Sequence, residues 1–201
     1  MNGKVVTILR GYSYEQIRTV CLALCKSKTV RNVEITLNTD NAYEIIEKII
    51  QEFGDVLEIG AGTVKTFDEL KKVLEYGVKF VLAPNGYSKE MIDYAHNHKA
   101  LAIPSAFTPT EIFTQFTYGA DIIKVFPANE LSTSYAKKAK EPLGNIPLMA
   151  VGGVNKGNVA KHFEGGYDYI GTCHGLFREE DIVNQNLDGL VNTVLEFEKE
   201  I

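Results

Sequence analysis

Eight short apolar runs, each followed by a stretch with helical spacing, constrain the fold of this 201-residue chain more than any other feature. The runs are Val5 to Leu9, Val33 to Leu37, Val56 to Gly60, Phe80 to Ala83, Ala100 to Ile103, Ile122 to Phe126, Pro147 to Val151 and Tyr169 to Gly171. Between them apolar residues recur three and four apart, as in Ile17, Val20, Cys21 and Leu24, or Ile45, Ile46, Ile49, Ile50 and Phe53. That periodicity predicts helices that each bury one stripe. Alternating strands and helices place the chain in the α/β class with a parallel sheet. A repeat of about 25 residues predicts one (β/α)₈ barrel of the TIM type spanning residues 1–201, with short loops. The competing architecture is an open doubly wound sheet, which would demote the runs at Ala100 to Ile103 and Tyr169 to Gly171. In either fold the chemistry gathers at the C-terminal ends of the strands.

Capping residues punctuate the pattern. The first turn of a helix carries amides without internal partners, and Ser13/Gln16, Thr66/Glu69 and Thr108/Glu111 have the spacing that satisfies them reciprocally. Pro109 falls at a first helical position, where a missing N–H is harmless. Gly54, Gly77, Gly119 and Gly166 mark helix ends, where a left-handed cap is expected.

Composition narrows the function classes. The chain is 45% hydrophobic and carries a net charge of −5 without a Lys/Arg block, so no footprint for nucleic acid or an anionic membrane is expected. No stretch approaches the roughly 20 apolar residues of a membrane span, and the first residues lack a secretory pattern, which together predict a cytoplasmic location. Cys21, Cys25 and Cys173 have no metal-ligand spacing; the first two read as reduced core residues. No cofactor and no metal are expected.

The residues able to carry chemistry lie at strand ends. Lys124 sits inside the apolar run ADIIKVFPA. Desolvation would favour its neutral amine, the form that adds to a carbonyl, but a lysine whose stem crosses the core to reach water or a carboxylate gives the same pattern. Alternation in VEITLN sends Val33, Ile35 and Leu37 toward the helices, and Glu34, Thr36 and Asn38 toward the barrel interior. Glu34 can there act as an acid/base or as the ion-pair partner of Lys124 or Arg10. Gly60-Ala61-Gly62-Thr63 and Gly152-Gly153-Val154-Asn155 are glycine loops able to hold an anion on their amides, or merely tight connections. The second follows the seventh strand, where phosphate commonly rests in barrels. Arg10 and Pro84-Asn85 end the first and fourth strands and face the same mouth. His96, His98 and His162 fall on helices away from it.

Taken in order, VEITLN, IGAGTV, APN, FTPTE, IKVFPA and AVGGV resemble the 2-keto-3-deoxy-6-phosphogluconate (KDPG) and 4-hydroxy-2-oxoglutarate (KHG) aldolases over nearly the whole chain. The resemblance implies a class I aldolase in which Lys124 forms the Schiff base and Glu34 is the acid/base. It implies further that Thr63 and neighbouring amides, Gly62 among them, hold the pyruvoyl carboxylate, and that the barrel is a homotrimer. The implied reaction cleaves a 2-keto-3-deoxy-6-phospho sugar acid to pyruvate and glyceraldehyde 3-phosphate. ILRG, EI-x-LN, PN and AVGGV are similar to the 2-keto-3-deoxy-6-phosphogalactonate (KDPGal) branch, in which Arg10 would take the carboxylate. Two departures stand out. The family's Gly-x-Gly-Ser phosphate loop reads Gly171-Thr172-Cys173-His174 here, so His174 replaces a serine, and Ser105 stands where Pro-Gly is usual. The departures leave open an aldolase of a non-phosphorylated acid such as 4-hydroxy-2-oxoglutarate, or a barrel that binds a keto acid without turning it over; the Gly152-Gly153-Val154 loop also fits a phosphate-binding isomerase or epimerase on the same scaffold.

Overall fold

A computed structural model describes residues 1–172 and 174–201. In chain order the elements are β1 (Val5–Leu9), α1 (Tyr14–Leu24), β2 (Asn32–Thr36), α2 (Ala42–Phe53), β3 (Glu58–Gly62), α3 (Phe67–Leu74), β4 (Phe80–Leu82), α4 (Lys89–Asn97), β5 (Leu101–Ile103) and β6 (Ser105–Ala106). There follow α5 (Pro109–Thr117), β7 (Ile123–Val125), α6 (Tyr135–Leu143), β8 (Leu148–Val151), α7 (Val159–Glu164), β9 (Tyr169–Thr172), α8 (Glu179–Val183) and α9 (Leu187–Phe197).

All described strand pairs are parallel, in the order β5-β4-β3-β2-β1-β9-β8-β7-β6. The two ends of that order are consecutive in the chain, so the sheet curls into a nearly closed barrel and the open doubly wound sheet is excluded. One expectation is corrected here. The fifth strand is two pieces, β5 on β4 and β6 on β7, divided by Pro104. Proline has no N–H to give to a ladder, and so cannot continue a strand between two neighbours. Its carbonyl still accepts from Lys124 N at 2.9 Å.

Side-chain alternation sorts the apolar residues into two layers. Val6, Ile8, Phe80, Leu82, Ile103, Ile122, Met149 and Val151 pack together inside the barrel. Their neighbours Val5, Val33, Ile35, Ile59, Val81, Ile123, Leu148 and Ile170 belong to the layer beneath the helices. Each fully buried residue of this kind contributes on the order of 1.5–3 kcal/mol. All three expected capping boxes form. Gly77, Gly119 and Gly166 take positive φ, but Gly54 does not; at φ −61° it continues the helical geometry of α2. No described helix is long and apolar enough to cross a membrane.

Candidate active site

Lys124, in the middle of β7, is only 5% exposed. Its neighbours on the inward face are Ile122 and Phe126, and the ammonium lies 5.0 Å from the centroid of the Phe126 ring. Burial pushes the lysine pKa down; the Glu34 carboxyl opposes that shift and the Arg10 guanidinium adds to it. Glu34, on β2, is 1% exposed. Burial pushes its pKa up, against the pull of Lys124 and Arg10. The two groups thus feel one another, and each is biased toward its neutral form. Among the described residues no ion pair joins Glu34 to Lys124 or Arg10, and Glu34 Oε2 is buried without a hydrogen-bond partner. A purely structural pair would be expected to close, because an unpartnered buried carboxyl is costly.

The space for Glu34 comes from β3. A Cβ on Gly62 would overlap the Glu34 carboxyl group, and one on Gly60 would overlap the Phe80 ring. These glycines therefore make room for side chains inside the barrel, which is a different use from the backbone approach to a ligand expected of the turn. Thr63, the next residue, is partly buried and has φ +58°. A β-branched residue rarely adopts left-handed geometry, and such strain clusters at ligand sites.

Arg10, Lys124, Phe126, Gly152, Gly153, Gly171 and His174 are brought to one cavity of about 430 Å³ at the C-terminal ends of β1, β7, β8 and β9. Glu34, Gly62, Thr63 and Pro84 are outside its lining; Pro84 is exposed on the loop after β4. Gly152 and Gly153 both have positive φ, +111° and +69°. The side they leave open is filled by Asn129, so this loop too is shaped by packing.

The sequence profile of the KDPG and KHG aldolases matches residues 1–192. The chain belongs to the KDPG and KHG aldolase family. It is 33% identical to the 2-dehydro-3-deoxy-6-phosphogalactonate aldolase of Escherichia coli K12 over 147 residues, 73% of this chain and 71% of that protein. To the 2-dehydro-3-deoxy-phosphogluconate aldolase of Treponema pallidum it is 31% identical over 134 residues, 66% of this chain and 63% of that one. A solved KDPGal structure superposes with a TM-score of 0.83 at 28% identity, covering 98% of this chain and 95% of the other. As a member of this family the protein is a carbon–carbon lyase on a TIM-type barrel.

For an aldolase of this family several residues were not legible as site groups. Tyr12 follows β1 and places its hydroxyl 3.4 Å from His174 Nδ1, across 162 residues of chain. Phe126 was available from alternation, two residues beyond Lys124 on the same face. Ser105 is buried and donates to the Lys124 carbonyl at 3.1 Å, tying β6 to the lysine's own strand. Cys173 lies outside the described residues. His96 and His162 are held by Asp121 and by the Asn158 carbonyl, and His98 by the Tyr94 carbonyl, in keeping with structural roles. A larger hollow of about 1090 Å³ opens at the other end of the barrel, beside Lys4, Lys140, Phe163 and Asp168. Asp168 is already bonded to Lys140 and to Leu148 N there.

Proposed function

We propose that the protein is a class I aldolase that cleaves a 2-keto-3-deoxy-6-phospho sugar acid to pyruvate and glyceraldehyde 3-phosphate. The observation that carries this reading is the pair of buried, unbridged groups, Lys124 and Glu34, each pushed by burial toward its neutral form. The neutral Lys124 amine adds to the C2 ketone, and loss of water from the carbinolamine gives an iminium. Neutral Glu34, directly or through one water, gives its proton to the carbinolamine hydroxyl as that group leaves, and the carboxylate so formed takes the proton of the C4 hydroxyl as the C3–C4 bond breaks. The bonding electrons pass into the iminium, giving an enamine while the aldehyde leaves. Protonation at C3 and hydrolysis release pyruvate and restore the amine.

In this reading Arg10, Thr63 and the adjoining Gly62 amide hold the carboxylate next to the reacting ketone, and Pro84 borders the mouth. Gly152, Gly153, Gly171 and His174 face the distal end of the substrate. The galactonate epimer is the favoured substrate, supported by the ILRG and AVGGV segments and by the likeness to galactonate aldolases. The protein works as a homotrimer, and the exposed aromatic side chains on and beside α5 provide a surface for that contact. No cofactor or metal takes part.

The test is borohydride reduction in the presence of pyruvate. The expected result is one adduct at Lys124, identified by peptide mass spectrometry and lost in Lys124→Ala. Trapping that persists in Lys124→Ala, or an active Lys124→Arg variant, would sink the assignment.

A further inference from the structure

Arg10 stands just past the end of β1, and little besides the backbone aims it at the cavity. It lines the same space as Lys124, yet among the described residues its guanidinium is in no ion pair and no hydrogen bond. A long side chain without a partner keeps most of its rotamer freedom. Its starting direction is set by the peptide group that joins it to Gly11.

That peptide lies where the ladder stops. β1 and β2 are paired as far as Leu9 and Ile35, after which the two chains turn into separate loops. The next bond between them is made by a side chain: Gly11 N donates to Thr39 Oγ1 at 3.0 Å. Thr39 is only 6% exposed, and its hydroxyl lies 3.1 Å from that of Thr36, which is fully buried. Thr39 N donates to the Thr36 carbonyl at 3.0 Å, and Leu37 N to the Gly62 carbonyl at 2.8 Å, so the end of β2 is itself fixed. Gly11 has φ +75°, and a Cβ there would meet nothing; the backbone conformation, not crowding, requires glycine. A glycine also makes its peptide easy to rotate, which leaves the Thr39 hydroxyl to decide the orientation. Thr36 shares the inward face of β2 with Glu34, so the clamp refers the Arg10 peptide to the strand that carries the acid/base.

We propose that Thr39 is a positioning residue for recognition of the substrate carboxylate: by holding Gly11 N it sets the Arg10 peptide so that the guanidinium meets that carboxylate. The proposal rests on the aldolase reading above, in which Arg10 takes the carboxylate.

The experiment follows exchange of the pyruvate methyl protons in D2O by proton NMR. A proton leaves C3 of the Lys124 iminium to give the enamine, and a deuteron from solvent replaces it, so no aldehyde is needed. Pyruvamide, of similar shape but without the charge, is the comparison. The wild-type protein should prefer pyruvate by about tenfold or more in kcat/KM. Thr39→Val should raise KM for pyruvate by about fivefold or more, with kcat and KM for pyruvamide within about twofold, while Thr39→Ser keeps wild-type values. In an Arg10→Leu background Thr39→Val should add less than about twofold, because its effect passes through Arg10. Thr39→Ala removes the same oxygen without adding bulk and carries the same expectations if Thr39→Val does not fold. An unchanged KM for pyruvate, an equal rise for pyruvamide, or a full effect in the Arg10→Leu background overturns the proposal. Exchange without preference for pyruvate overturns it while the iminium reading stands; absence of exchange overturns both.

Discussion

Glu34 can occupy the barrel interior because the neighbouring strand lacks an atom. Gly62→Ala puts a methyl group where the Glu34 carboxyl now lies. The far end of a glutamate can swing aside, so the main effect falls on chemistry: kcat should drop tenfold or more, equivalent to about 1.4 kcal/mol of barrel-mouth positioning. Gly60→Ala makes the opposite split. The rigid Phe80 ring cannot yield as a carboxyl can, and overpacking should cost about 1–3 kcal/mol in urea unfolding with a smaller change in kcat. Equal effects of the two substitutions on kcat would remove the special place of Gly62. The raised pKa of Glu34 also has a stability consequence. Below the ordinary carboxyl value, about 4.3, the group is protonated folded and unfolded. Above it the unfolded chain releases the proton while the folded chain keeps it, so stability falls as pH rises through the folded pKa. Glu34→Gln cannot titrate. Its Tm relative to wild type should therefore increase from pH 4 toward pH 8, measured by calorimetry; a constant difference would contradict a raised pKa.

At the level of elements, the barrel is closed by contacts between ends of the chain. α9 packs on α1, and just beyond its end the Glu198 carboxyl accepts from Ser27 Oγ at 2.6 Å, Lys28 N at 2.8 Å, and Thr29 N and Oγ1, both at 2.7 Å. Ser27 is fully buried, so the donors left behind by Glu198→Ala have poor access to water. The substitution should cost about 1–3 kcal/mol in denaturant unfolding and leave kcat near wild type. The capping boxes on α1, α3 and α5 were readable because each involves residues three apart. The split between β5 and β6 was not: Pro104 was visible, but which strands its two flanks pair with depends on barrel closure.

At the scale of the whole molecule, four large aromatic side chains gather on and beside α5. Phe113 is 48% and Phe116 41% exposed, with Phe107 and Tyr118 flanking the helix. Exposed apolar surface of this kind marks an association surface. If the protein is the homotrimer proposed above, the wild type should elute as a trimer and the double variant Phe113→Ser/Phe116→Ser as a monomer, by size exclusion with light scattering; a trimeric variant would move the contact elsewhere, and a monomeric wild type would overturn the trimer. The sequence by itself determined what repeats locally: strand alternation, helical stripes, caps, and therefore the inward placement of Glu34. Residues two, three or four apart are fixed relative to one another by the backbone period alone. Tertiary structure decided what depends on register between strands and on closure of the ring. Gly62 making room for Glu34, Glu34 remaining unbridged to Lys124, Asn129 filling the space beside Gly152, and Tyr12 meeting the His174 ring edge-on all join residues from different elements. No local pattern specifies those distances, because they are set by how the strands are staggered around the barrel.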